Sequence, residues 1–310
     1  MRNSLIAAVA VLALSALYGC GGGGSSATYQ FTFNPDDSVS FTVDFTKSRI
    51  TKMGDQSMSD SSWSRTSQNI VADGDGYRSV RVTDSMVQFR DGARIEDRIL
   101  DLFARTPITY VLDSLGEARD VVGYEELFGR LDSILGSDTA AMLRQVINPD
   151  VLKAQEIATW NERFVPFTGT TMKIGEPSID TSYINLPVEG PVVQYQLLEL
   201  VDTVRVDGQL CGKVNIVSGT NPTELAEMTG RTPEEMAKLL SITEEQVEIA
   251  ANRQASTGSI RSWVVEFETL LSHSEESKFA VFYNELTESG TMVRSEITET
   301  QRKDYSYSTQ

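Results

Sequence analysis

Two cysteines and one histidine are all that this 310-residue chain holds of the residues that most often build metal and nucleophile sites. A zinc centre of the usual kind needs several Cys or His ligands, so none is expected. No Gly-x-Ser-x-Gly elbow, Walker A loop or post-strand Gly-x-Gly-x-x-Gly occurs. Ser-His-Asp chemistry would have to use His273 as its base. That residue lies in Ser272-His273-Ser274-Glu275-Glu276, which reads as a surface turn between two strands. Basic charge is also short: 27 Lys and Arg against 44 Asp and Glu leave a net charge of −17. Such a body is repelled by nucleic acid and by anionic lipid surfaces.

Apolar runs are short as well, and the longest opens the chain. The start reads MRNSLIAAVAVLALSALYGC. Arg2 provides a positive n-region, and Leu5 to Leu17 is an apolar run broken by Ser15. A membrane-spanning helix needs about 20 apolar residues, so this stretch fits a secretory h-region instead. Leu17-Tyr18-Gly19-Cys20 resembles the bacterial lipobox, with Leu at −3, a small residue at −1 and then Cys. The resemblance implies a lipoprotein signal over residues 1–19 and cleavage after Gly19. It also implies a diacylglycerol thioether on Cys20 and often a third, palmitate-type acyl chain on the new amino group. Two acyl chains hold firmly where one does not, at about 0.8 kcal/mol per buried CH₂. Removing Arg2 takes the mature chain to −18, so the lipid has to do the membrane binding. With Cys20 lipidated, Cys211 has no intramolecular partner; it reads as a small buried side chain on an alternating strand.

Residues 20–27 are the anchor and a flexible Gly/Ser linker. Fully extended, residues 21–28 reach roughly 26 Å at about 3.3 Å per residue. Gly21, not Asp, follows the anchor, which by resemblance to enterobacterial sorting favours the outer membrane.

Beyond the linker, 28–300 reads as a single α+β domain. Tyr29, Phe31 and Phe33 alternate, Asn34-Pro35-Asp36-Asp37 turns, and Val39, Phe41, Val43 and Phe45 alternate again. Residues 54–62 read as a polar loop. Strands follow at 63–72, 77–83 and 86–89, at 107–113 and at 118–122. Tyr124, Leu127, Leu131, Ile134 and Leu135 recur at helix spacing, and Asn148-Pro149 caps a helix running to about Arg163. Together these make a helical segment near 123–163. Strands return at 170–175, 178–186 and 191–206, and Asp207-Gly208 signals a hairpin into 209–218. A second helical block covers 221–256. Strands at 259–272, 277–288 and 291–300 follow, and 301–310 reads as a frayed polar tail. The expected fold class is α+β: a curved, mostly antiparallel sheet, half-barrel-like, with two helical blocks on one side.

Two local patterns invite a specific chemistry and are better read otherwise. The block LAEMTGRTPEEMAKLLSITEEQVEIAANR has helix-turn-helix spacing, with capping boxes at Thr232 and Thr243. From Asn221 to Arg253, however, seven Glu face three basic residues, and the leading turn of a recognition helix would offer Glu244 and Glu245 to the phosphates. It reads as a three-helix insert. Asp73-Gly74-Asp75-Gly76 is too short for a calcium loop and lacks its closing Glu.

Several stretches resemble an uncharacterised family of exported, lipid-anchored bacterial proteins. They are Tyr110-Val111-Leu112-Asp113-Ser114-Leu115-Gly116-Glu117 with Val121-Val122-Gly123-Tyr124-Glu125, then Phe164-Val165-Pro166-Phe167 with Met172-Lys173-Ile174-Gly175-Glu176-Pro177, and the hairpin from Tyr195 to Ile216. That family brings no catalytic residues. The order of elements is also similar to the lipoprotein-carrier fold of the bacterial envelope, a curved half-barrel lidded by helices; this is a likeness of architecture alone. The function expected is non-enzymatic binding of an apolar ligand or an envelope protein, with Trp63, Trp160 and Trp263 as candidate cavity-lining residues. A hydrolase using acidic residues and a purely structural surface lipoprotein are the alternatives. No cofactor, metal or nucleic acid is expected.

Cys20→Ser should leave the mature protein in the soluble fraction, with an unchanged circular dichroism spectrum and no incorporation of labelled palmitate. Retention of the processed variant in the membrane fraction would mean that the body itself makes a second membrane contact.

Overall fold

A computed structural model describes residues 27–136, 142, 144, 148–186, 190–286 and 292–308. The signal segment, Cys20 and the linker through residue 26 lie outside the described residues, as does most of the expected helical stretch at 137–147.

Long antiparallel strands dominate. Strands β2 (Ser38–Met53), β3 (Gln56–Asp73) and β4 (Gly76–Arg90) form a meander, continued by β6 (Ile108–Leu112) and β7 (Ala118–Val122); β5 (Ala93–Ile95) pairs with β4 alone. A second meander runs β9 (Ser178–Leu186), β10 (Gly190–Val206), β11 (Gln209–Gly219), β12 (Ala255–Glu266), β13 (Ser272–Leu286) and β14 (Met292–Tyr307). The β10–β11 connection is the expected tight turn: Asp207 and Gly208 take φ of 50° and 88°, the pair of positive values a two-residue hairpin needs. Strands β1 (Thr28–Gln30) and β8 (Thr171–Lys173) make a separate two-stranded ribbon.

The two meanders are joined by the last strand. β14 pairs with β13 through Ser274↔Asp304 to Leu286↔Met292, and with β2 through Tyr307↔Phe41 to Ser295↔Met53. The expected polar tail is therefore a central strand through Tyr307, and only 309–310 lie outside the described residues. The reason is legible afterwards: Lys303, Tyr305 and Tyr307 alternate with Arg302, Asp304 and Ser306, so one polar stretch serves two different faces. The expected loop at 54–62 is likewise strand from Gln56 onward. Ser57 and Ser59 on one face and Met58 on the other are all exposed, so no buried face imposes an apolar alternation.

Helices α1 (Arg98–Arg105), α2 (Tyr124–Leu135) and α3 (Pro149–Phe164) cover one face of the sheet. Asn148 caps α3 by accepting from the Asp150 N–H. Helices α4 (Pro222–Thr229), α5 (Pro233–Leu240) and α6 (Glu244–Ala251) form the second block, with both expected capping boxes in place. The two blocks are not on one side. Trp263, Val265 and Val214 pack in the core with α2 and α3, whereas Val217 and Ile260, of opposite parity on the same strands, pack with Leu225 and Met236. Strand alternation sends these two sets to opposite faces, so the insert covers the back of the sheet. Helix block and strand order alone could not assign a face, because the apolar residues of β11 and β12 occupy both parities.

The sheet bends toward α3. Tyr110 of β6, Trp160 and Phe164 of α3, and Trp263 of β12 form a chain of ring contacts with centroid separations of 4.7, 4.8 and 6.3 Å. In sheet order β6 and β12 are six strands apart, roughly 29 Å in a flat sheet. Three ring steps bridge that gap only if the sheet curls, and the face with α3 is the concave one.

Deleting residues 301–310 should abolish cooperative unfolding and collapse the β signal in circular dichroism, because it strips ladder partners from β2 and β13 at once. A truncated chain melting within a few degrees of the full one would refute the central placement of β14.

Candidate functional site

The concave face is built around α3. Its inward side carries Glu156, Trp160, Arg163 and Phe164, spaced at three, four and seven residues, so one stripe alternates charge and aromatic ring. Glu156 accepts from Arg81 of β4 at 3.0 Å, from Tyr124 at 3.3 Å and from Tyr110. Burial raises the Glu156 carboxyl, but the Arg81 charge and the hydrogen bonds from Tyr110, Arg81 and Tyr124 outweigh it, and the net shift is downward. Two turns on, the polarity inverts. Arg163 donates to Ser272 Oγ at 2.9 Å, meets Glu275 Oε2 at 3.2 Å and touches the Tyr305 hydroxyl. Between the two clusters Trp160 donates its indole N–H to the Gly116 carbonyl at 2.8 Å.

Glu275 is the centre of the second cluster. Its side chain is 6 % exposed, and Lys303 at 3.0 Å and Arg261 at 3.6 Å join Arg163 around it. Burial again pushes the carboxyl up; Arg163, Lys303 and Arg261 more than reverse this and hold it at about 2. Trp263 donates to Ser272 Oγ at 2.8 Å and Tyr307 to the Ser272 carbonyl at 2.6 Å, so a buried serine ties the strand pair to the cluster. Arg163 Nε is buried without a hydrogen-bond partner.

Away from α3 the same face becomes apolar and more open. Register places Phe279 and Val281 of β13, Ile297 of β14, Met53 of β2 and Met58 of β3 on it. Phe279, Met58 and Met53 are 41, 41 and 51 % exposed. Lys47 pairs with Glu299 at 2.8 Å at the border between the charged and apolar zones.

The sequence candidates fall in different places. Trp160 and Trp263 belong to one core, bridged by Phe164, and are packed against protein atoms with 8 and 2 % exposure. Trp63 is on the convex face, opposite in parity to Phe41, Val43 and Ile70, with the Arg65 guanidinium 5.9 Å from its ring. The three tryptophans therefore do not line one cavity. His273 is not in a surface turn: it lies on β13 where the register shifts against Val264 and Val265, half-buried, with Nε2 2.9 Å from Glu266 Oε1. The turn falls earlier, between Glu266 and Ser272, because Leu270 takes φ of 56°. Cys211 is buried, and burial pushes its thiol up to about 11, which disfavours the thiolate a reactive cysteine needs. Glu156, Arg163 and Glu275 escaped the sequence reading because the partners that give them meaning lie on other elements, 14 to 142 residues away.

Among the described residues, no group of three or more His, Cys, Asp or Glu is arranged to hold a metal ion. No described helix is long and apolar enough to cross a membrane, which says nothing of strands. A dent of about 380 Å³ opens around Val201, Lys213, Val264, Glu276 and Arg302, whose side chains point to the convex face.

No family model and no curated protein matches this chain. Among solved structures, it is similar to the Pseudomonas aeruginosa protein OccK5 (OpdH) at 6 % identity and a TM-score of 0.22, covering 90 % of this chain and 100 % of that one. A likeness at that level carries no argument about fold or role.

Glu275→Gln should lower stability by up to about 3–5 kcal/mol in denaturant melts, since it leaves the half-buried Arg163 and Lys303 without their counter-charge. The pH dependence follows the same group. Its carboxyl is lower in the folded chain than its ordinary 4.5, so the stabilisation is complete above that value and is lost as pH falls toward about 2. The variant should show a flatter acid limb than wild type; parallel limbs would count against the cluster.

Proposed function

We propose that the chain is an exported lipoprotein, anchored through Cys20 in the cell envelope and placed in the outer membrane, whose half-barrel-like body binds an apolar ligand on its concave face without catalysing a reaction. The observation that carries this reading is the exposed apolar zone of Phe279, Met58 and Met53 beside Val281 and Ile297, on the face that α3 leaves uncovered. A curved sheet with a filled base and a partly open upper wall supplies shape, apolar area and a few oriented polar groups, which is what small-ligand sites use.

The acidic-hydrolase alternative meets a specific obstacle. Glycoside hydrolysis by a carboxyl pair needs one member protonated and one ionised. Glu156 and Glu275, the two inward carboxylates of the core, are both held below their ordinary value by arginines. Glu224, the carboxyl that burial raises, belongs to the insert on the opposite face, where it accepts from Ser256 at 3.0 Å. A structural role without a ligand is favoured by the tight ring packing around Trp160, and it differs from the binding reading in what it expects of the open zone.

The test is binding of the neutral apolar fluorophore N-phenyl-1-naphthylamine to the delipidated body beginning at Ala27. Saturable fluorescence enhancement is expected, weakened about tenfold or more in Phe279→Glu at unchanged melting temperature. Equal binding by that variant, or none by wild type, would leave the structural reading in place of this one.

A further inference from the structure

The chain carries a large excess of acid, yet the wall beside the open apolar zone is short of it. Register puts Lys47 and Arg49 of β2, Lys303 and Glu299 of β14, and Glu275 of β13 on the concave face, with Arg261 of β12 opposite Ser277 in the same rows. Arg163 reaches the group from α3. Around Glu275 and Glu299 five cations thus meet two carboxylates, while Asp60 of β3, opposite Arg49 on the same face, is taken by Arg90 at 3.0 Å. The carboxylates are the hidden members, 6 % exposed at Glu275 and 15 % at Glu299, while Arg261 and Lys47 remain 40 and 36 % exposed. Glu275 alone is shared by Arg163, Arg261 and Lys303. Its two oxygens cannot satisfy all the donors of two guanidiniums and an ammonium, and Arg163 Nε is left buried and unpartnered.

We propose that this island receives the head group of a single-tailed anionic amphiphile, a fatty acid or an alkyl phosphate, whose tail runs over Phe279, Val281 and Ile297. The inference rests on the concave-face reading and names the ligand class for it. Charge complementarity selects the occupant: a neutral apolar ligand would leave the excess of positive charge uncompensated, and a small anion would leave the apolar zone bare. The dimensions agree. From Glu275 to Val281 is six residues along β13, about 20 Å at roughly 3.3 Å per residue, against about 15 Å for one leaflet of hydrocarbon. The condition of Lys303 agrees too. Burial lowers its ammonium and so does repulsion from Arg163 and Arg261, against the pull of Glu275, so the net shift is downward. An arriving anion would relieve that repulsion.

The experiment is competition against N-phenyl-1-naphthylamine, each competitor below its micelle concentration: laurate, dodecyl phosphate, dodecanol, and acetate with inorganic phosphate. Laurate or dodecyl phosphate should displace the probe at least tenfold more effectively than dodecanol, and the better of the two identifies a carboxylate or a phosphate head. Acetate and inorganic phosphate should not displace it. In Arg261→Gln and Lys47→Gln, both at partly exposed positions, the advantage of the anion over dodecanol should shrink by about tenfold while probe binding itself is unchanged. Equal displacement by laurate and dodecanol, with the probe still bound, would overturn the anionic head group and leave the apolar reading intact. Absence of probe binding would overturn both, and a preference for anions that survives both substitutions would overturn the assignment to this island.

Discussion

A helix with one buried edge, held by two charge clusters of opposite sense, is the constraint on which the rest of this structure depends. α3 offers a carboxylate, Glu156, to Arg81 of the first meander, and a guanidinium, Arg163, to Glu275 of the second. Trp160 and Phe164 fill the space between. The helix is therefore a strut between strands that are distant in the sheet, and the curl of the sheet is the shape that satisfies both ends. Buried ion pairs are poor sources of net stability, because desolvation offsets attraction. Their worth here is geometric: only one axial position and one rotation of α3 pairs both charges, so helix and sheet are held in register where apolar packing alone would tolerate sliding.

The same arrangement explains why the concave face is uneven. Around α3 the polar groups, Arg163 Nε excepted, are drawn into a network, with Ser272 accepting from Trp263 and Arg163 at its hydroxyl and from Tyr307 at its carbonyl. Farther along β13 and β14 the helix no longer covers the wall, and the apolar residues there keep a substantial part of their surface in water. The boundary between the two regions is where cations outnumber carboxylates. Base, border and open zone are consecutive rows of the same strands, so a single change of cover along the sheet produces all three.

The ends of the sheet are treated differently. At one edge, the short β7 is closed by a side chain: Asn161 of α3 accepts from the Ala118 N–H at 2.7 Å and donates to its carbonyl at 3.2 Å, standing where a neighbouring strand would. At the other, β9 carries Asp180, whose carboxylate takes the Thr181 N–H at 2.8 Å. Both devices use local side chains to occupy backbone groups that would otherwise template association. α3 thus serves the sheet edge as well as its curvature.

Local signals were sufficient where the determinant was local. The Asp207-Gly208 turn, the Asn148-Pro149 start of α3 and the capping boxes at Thr232 and Thr243 each depend on a few adjacent atoms, and each could be read from the letters alone. The sequence likewise determined that the chain is built mainly of antiparallel hairpins interrupted by two helical blocks, because period-2 and period-3.6 patterns report burial along one element. Tertiary structure decided what depends on elements far apart in the chain. It set the two helical blocks on opposite faces, although β11 and β12 carry apolar residues at both parities. It drew 301–307 into the centre of the sheet, where a polar strand is stable because both neighbours complete its ladders. It separated Trp63 from Trp160 and Trp263, and it gathered Arg163, Arg261 and Lys303 around Glu275. A residue's spacing along its own element carries the face it occupies, but the identity of what waits on that face is a property of chain closure, and no window of sequence contains it.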